Sequence, residues 1–338
     1  MVVLASQRDI ASLPKVELHV HLNGSITEAT ATTLARRHGA DADTSLGLVN
    51  GRYPGTYADF QGFLDAYLLA NSFVRTPEDL ETVAAAFAAQ QAAEGIRYSE
   101  AIVTAMIYVR NGMEPAALWA ALRSGLAAGG PDTRIGLIID VIRDLGTEEA
   151  EDTLRLVEAA DAPIVGLGLT GIEGTVPTED FIPYRQEARR LGLGFEVHAG
   201  EMGPPSSIVS ALDVLEADRI GHGVAAIRDE AVLMRLIRDH VVLDVCPSSN
   251  VAIGEFASLE EHPMTEFWRR GVEMTISSDD PPFFGTTLND ELRHLVRIAG
   301  LGRDDLATLQ RRAATHAFAP QDVRDSLLAE IDEWAGPA

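Results

Sequence analysis

The chain has 338 residues, 46% of them hydrophobic, and carries 27 basic against 51 acidic side chains, a formal net charge of −24. That length and apolar fraction suit a large core, and a surface so acidic repels phosphate backbones and anionic membranes, which argues against nucleic-acid polymers as partners. A single cysteine, Cys246, rules out an internal disulfide and a thiolate zinc cluster, and a single lysine, Lys15, leaves no Walker-type loop and no strand-end Schiff base.

Met1 to Pro14 lacks a basic start followed by a sustained apolar run, and no stretch approaches the ~18 apolar residues of a spanning helix; a soluble, cytoplasmic protein is expected. Lys15-Val16-Glu17-Leu18-His19-Val20-His21-Leu22-Asn23-Gly24-Ser25 reads as a short buried strand running into a polar turn. Side chains alternate along a strand, so His19 and His21 point the same way. Thr27–His38 has helical spacing with Gly39 as its stop. Asp41–Gly55 shows no period and is long enough to act as a lid, and Tyr57–Asn71 returns to helix with Phe60, Phe63, Leu64 and Tyr67 on one side. Thr76-Pro77-Glu78-Asp79 is a helix start, followed by Leu80, Val83 and Phe87 at helical spacing.

From there strands and helices alternate. Ile96–Val103, Ile135–Val141, Ile164–Leu169, Leu193–His198, Arg219–His222, Val241–Cys246 and Glu273–Ser277 read as strands. Pro115–Ala128, Thr147–Ala159, Asp180–Leu191, Ser207–Leu215, Asp229–Asp239 and Met264–Arg270 read as the helices between them. With the first strand this makes eight near-continuous apolar strands, the pattern of a parallel sheet buried on both faces. No Gly-x-Gly-x-x-Gly follows the first strand, so a doubly wound sheet is the weaker competitor. The expected fold is an α/β (β/α)8 TIM barrel, one domain over 1–338, with extra helices after the first strand and at the C-terminus (Leu288–Ile298, Asp304–Ala314, Asp322–Trp334).

Polar clusters recur at strand ends: His198-Ala199-Gly200-Glu201, Gly221-His222-Gly223 and Ser278-Asp279-Asp280. In a parallel barrel all these ends meet at one rim, so His19, His21, His198 and Asp279 converge as three nitrogen ligands and one oxygen ligand. Imidazole with carboxylate suits zinc, with iron or nickel open on ligand type alone. An isolated His-x-His is more often a satisfied core pair; the partners elsewhere tip the balance to one ion per chain. A bridged two-metal site is disfavoured, because the only lysine stands at the start of the first strand, away from the carboxyl rim. Glu201 could move protons at a ring nitrogen, His222 could orient or deprotonate a water, and Asp280 could accept from a substrate nitrogen. His38, His240, His262, His294 and His316 fall in helices or connections and receive no role.

The stretches KVELHVHLNG (Lys15–Gly24), HAGE (His198–Glu201), RIGHG (Arg219–Gly223), CPSSN (Cys246–Asn250) and SSDDP (Ser277–Pro281) resemble the adenosine/adenine deaminase family of the amidohydrolase superfamily. The resemblance implies zinc-dependent hydrolytic deamination at C6 of a small-molecule purine through a tetrahedral intermediate. It implies His19, His21, His198 and Asp279 as metal ligands, Glu201 as proton donor to N1, and His222 as the residue orienting the water. Asp280 then partners the water and N7, and the Gly171 N–H meets N3. His21, Asn23, Gly171 and Asp280 are the expected substrate contacts. Two positions depart from the family: Asn23 replaces an aspartate that holds the ribose 5′-hydroxyl, and Gly168 replaces the aspartate of G-x-D-L-x-G. Both changes remove negative charge near the pocket. Adenosine is the first expected substrate; adenine, aminodeoxyfutalosine or N6-methyl-AMP is the alternative. An amide or ester hydrolase and a non-catalytic purine binder rank behind, and a monomer or homodimer is expected.

Overall fold

The computed structural model describes residues 3–41 and 45–336. Eight strands, β1 (Lys15–His21), β2 (Ile96–Val103), β3 (Arg134–Ile142), β4 (Ile164–Thr170), β5 (Gly194–Ala199), β6 (Arg219–His222), β7 (Val242–Val245) and β8 (Glu273–Ile276), lie in sequence order, each parallel to the next. Just past β8, Val20 bridges Asp279: the His21 N–H donates to the Asp279 carbonyl at 2.8 Å and the Asp279 N–H to the His19 carbonyl at 3.2 Å. These bonds join the last strand's extension to the first, as the expected (β/α)8 barrel requires.

The helices form for the reasons legible in their sequences. Thr76 caps Pro77–Ala93 in a reciprocal capping box with Asp79, and Leu80, Val83 and Phe87 turn inward. Leu288–Ala299 buries Leu288, Leu292, Leu295 and Val296, one stripe at helical spacing. At the amino ends of the strands, helices Arg303–His316 and Gln321–Ala335 cover the barrel mouth, joining Ala313, Leu327 and Ile331 to Val16, Leu18 and Tyr98. The C-terminal cover is thus where the sequence puts it.

The barrel interior is not purely apolar. Arg219 is buried against Glu100 (2.7 Å), Asp244 (2.8 Å) and Glu196 (3.4 Å), with the Phe318 ring 3.8 Å from its guanidinium carbon. One cation shared by three carboxylates satisfies charges that would otherwise be costly to bury. Burial pushes Glu100 up to about 7 even so. This charged layer holds Glu196 directly beneath the rim.

Element bounds differ from expectation by a few residues. The helix expected from Tyr57 begins at Phe60, because Asp59 accepts from the Gly62 N–H as its cap. Part of the expected lid, 42–44, lies outside the described residues. Its remainder is tied down: the Tyr53 ring stacks on Phe283 at 4.1 Å, and the Tyr53 N–H donates to Glu28. No described residue of 45–55 lines the central cavity, whereas Phe60, Phe63, Leu64, Tyr67 and Leu68 of the next helix do.

Candidate functional site

Strand alternation puts His19 and His21 on the rim together, and β5 and the turn after β8 bring His198 and Asp279 to them. His21 Nε2 stands 3.3 Å from His198 Nε2 and 3.3 Å from Asp279 Oδ1, and His19 Nε2 is 3.4 Å from the same oxygen. All four donor atoms lie within 4.8 Å of one another. Bonds of about 2.0–2.1 Å to a tetrahedral ion place neighbouring donors about 3.4 Å apart, so the cluster fits a divalent metal. The electrostatics agree. Burial opposes a charge on His19 and His21, yet Glu196, Asp279 and Asp280 outweigh it, holding His19 well above its ordinary pKa and His21 at about 9. The pocket draws positive charge, and His19 Nε2 has no hydrogen-bond partner of its own.

The ligand side chains are oriented from behind. Glu196 contacts His19 Nδ1, leaving Nε2 to face the cluster. The Ser249 hydroxyl donates to Asp279 Oδ2 at 2.6 Å. Arg143, buried, donates to the carbonyls of Leu169 (3.0 Å), Thr170 (3.0 Å) and His198 (2.5 Å), locking the ends of β4 and β5 together. Glu173 accepts four backbone N–H groups, from Gly200, Glu201, Met202 and Gly203, and so shapes the turn that carries Glu201. Asp279 and His222 have φ of 63° and 60°, a left-handed backbone that costs a non-glycine residue about 1–3 kcal/mol and concentrates at working sites.

Glu201, His222 and Asp280 surround the cluster. Glu201 Oε1 is 3.6 Å from His222 Nε2, which is 4.0 Å from Asp279 Oδ2. Burial, together with the Asp279 and Glu173 charges, holds the Glu201 carboxyl well above the usual range, which favours its protonated form. Burial pushes His222 down to about 3. Its tautomer follows from a chain of hydrogen bonds. The Met264 N–H can only donate, so His262 Nδ1 accepts it (3.1 Å) and His262 Nε2–H donates to Asn250 Oδ1 (3.2 Å). Asn250 Nδ2 then donates to His222 Nδ1 (3.2 Å), leaving the His222 proton on Nε2, toward the cluster. Asp280 lies over Gly24, where a Cβ would stand 1.6 Å from Asp280 Oδ1.

A cavity of about 310 Å³ opens above this floor. His21, His198, Glu201, His222, Asp279 and Asp280 line it, and so does Gly171, whose φ of 85° and the Asp144 oxygen 2.3 Å from a would-be Cβ demand glycine. Asn23 does not line it. Buried beneath the rim, Asn23 accepts from the Thr104 N–H (3.0 Å) and donates to the Tyr108 hydroxyl (2.9 Å), so its polar groups are already engaged. Nor is the pocket short of acid, because Asp140 of β3 reaches it. Glu196, Arg143, Glu173, Asn250, His262 and Asp140 have no role readable from the sequence motifs. The readable signal for Glu196 and Asp140 is a carboxylate inside an otherwise apolar strand.

Three imidazoles and a carboxylate meeting at the carboxyl rim of a parallel barrel define an amidohydrolase, a hydrolase acting on a carbon–nitrogen bond. The comparisons narrow this. The adenosine deaminase family model matches residues 14–334. Aminodeoxyfutalosine deaminase of Streptomyces avermitilis is 35% identical over 96% of this chain and 92% of its own length. Adenine deaminase of Streptomyces coelicolor is 35% identical over 96% and 97%. The crystal structure of adenine deaminase from Arthrobacter aurescens superposes with a TM-score of 0.86 at 31% identity, covering 95% of this chain and 99% of that one. The chain belongs to the adenosine deaminase family.

Proposed function

We propose that the protein hydrolytically deaminates C6 of an uncharged adenine compound, free adenine first. The observation that carries this is the buried Glu201 carboxyl beside the histidine–aspartate cluster on the floor of a cavity of about 310 Å³. His19, His21, His198 and Asp279 would hold one zinc ion, the metal that best suits this donor set. Bound zinc supplies a water whose pKa falls from about 15.7 to roughly 7.

The chain's own groups do the rest. Glu201 donates its proton to N1, drawing electrons from C6 as the water oxygen attacks. His222, carrying its proton on Nε2, donates to that oxygen and positions it, so orientation is its role rather than deprotonation. Asp280 takes the water's proton and faces N7, and the Gly171 N–H meets N3. The C6–O bond forms, the C6–N bond breaks, and the departing amine leaves as ammonia after receiving a proton returned through Glu201 or Asp280.

Substrate choice follows from the walls. No lysine or arginine lines the cavity among the described residues to pair a phosphate, and Asp140 and Asp144 on its walls would repel one. Nucleotides such as N6-methyl-AMP therefore fit poorly. Adenosine loses the sugar contact expected at Asn23, and the relatives' names favour adenine and aminodeoxyfutalosine. A second substrate, an adenine carrying an apolar group beyond N9, is favoured by the half-exposed Leu68, Leu145 and Ile172 at the cavity mouth.

Ammonia release from adenine, adenosine and AMP by the metal-loaded protein tests the proposal. Adenine should be turned over faster than adenosine, and AMP not at all; no ammonia from any of the three overturns it.

A further inference from the structure

His19 Nε2, His222 Nε2 and Asp280 Oδ1 are buried without partners inside the protein, and the proposed reaction occupies all three. Another such atom, Asp140 Oδ1, belongs to the cavity wall but has no part in that reaction. Asp140 is fully buried yet lines the cavity. Its other oxygen, Oδ2, accepts from the Thr170 hydroxyl at 2.6 Å and the Thr104 hydroxyl at 3.1 Å, which fixes the carboxyl plane. A buried carboxylate held from one side, with the second oxygen bare, is stable only at a cost that a bound donor would relieve.

Its place in the barrel says which donor. Asp140 pairs in register with Gly168 on β4, and a Cβ on Gly168 would lie 3.1 Å from the Asp140 Cβ. The acid missing from position 168 is thus supplied by the neighbouring strand, through the space the glycine leaves. Thr170, bonded to Asp140, immediately precedes Gly171. With N1 at Glu201, N3 at Gly171 and N7 at Asp280, the remaining edge of the ring is the one between N3 and N7, which carries N9. Its bond to Thr170, the neighbour of Gly171, sets the Asp140 carboxyl on the Gly171 side of the cavity, toward that edge.

We propose that Asp140 is a specificity residue whose Oδ1 accepts a hydrogen bond from an N–H or O–H donor at the N9 edge of the substrate. In free adenine that donor is N9–H; in a 9-glycoside it is a sugar hydroxyl. The assignment rests on the purine orientation of the proposed function. It also gives a role to a cavity acid that the reaction at C6 does not use: sites built to receive a donor discriminate strongly against analogues lacking it.

Asp140→Asn keeps the volume and an oxygen for the two threonine hydroxyls while turning an amide donor toward the ligand. kcat/KM is measured for adenine, adenosine and 9-methyladenine, which has no donor there; where 9-methyladenine is not turned over, its Ki against adenine serves. Thermal stability and metal content are recorded alongside, and Asp140→Ser is the second variant should the first not accumulate. Adenine should lose about 10- to 100-fold while 9-methyladenine changes by less than about 3-fold. Loss with adenosine but not 9-methyladenine supports the assignment with a sugar hydroxyl as the donor. An equal change across all three compounds, or none, overturns the role of Asp140 alone if the wild type deaminates adenine. A wild type that deaminates none of them overturns both this role and the purine reading.

Discussion

Gly24 and Asp280 occupy one another's space so closely that no side chain can come between them. Gly24→Ala must push the Asp280 carboxyl aside, and misplacing a reacting group by about 1 Å costs about 10²-fold in rate. Steady-state kinetics should therefore show a fall in kcat of that size, with metal content unchanged because the three atoms nearest the added methyl all belong to Asp280. The relay behind His222 makes a second prediction. In Asn250→Asp a carboxylate would face His222 Nδ1 and accept its proton, moving the bare nitrogen to Nε2. The wrong tautomer should lower kcat by about 10² or more while KM stays nearly constant, and a parallel change in both constants would show that Asn250 only packs.

At the scale of elements, the turn after β5 depends on one side chain of the β4–β5 connection. Glu173→Ala would leave the N–H groups of four consecutive residues without their acceptor. Each buried unpaired group costs about 1–3 kcal/mol, so a lowered melting temperature and a weakened kcat should appear together. The strands themselves were legible because apolar runs between helical segments admit few other arrangements, and the rim histidines followed because parallel strands share a carboxyl end. Glu196 and Asp140 were not, since register decides what an inward carboxylate meets: Arg219 and His19 for one, the cavity for the other. Asn23 misled for the same reason. The family resemblance set Asn23 against the sugar, yet Tyr108 and the Thr104 backbone, both distant in sequence, enclose it.

Across the whole molecule, several acids are buried away from the active site, and they set its response to pH. Glu291 is fully buried, accepting from the Thr286 hydroxyl at 2.6 Å and the Ser248 N–H at 3.3 Å. Burial pushes its carboxyl up to about 7 from an ordinary 4.5. The folded protein keeps this proton up to about pH 7, whereas the unfolded chain releases it near 4.5. Stability therefore falls as pH rises between those values and is level on either side. Glu291→Gln should gain about 3 kcal/mol relative to wild type across that window in urea unfolding; a constant difference would refute the linkage. Glu100, also near 7, adds a similar slope to both proteins and cancels in the comparison.

Asp279 contributes in two capacities that separate sites would normally divide. Its carboxylate belongs to the donor cluster, and its amide and carbonyl tie the end of the eighth strand to the first. Stripping the ion with a chelator should therefore loosen the closure of the cylinder as well as silence it. Deuterium uptake would show the difference residue by residue: the His21 and Asp279 amides should quicken, while those between β2 and β3, strands that carry none of the four donors, keep their slow exchange.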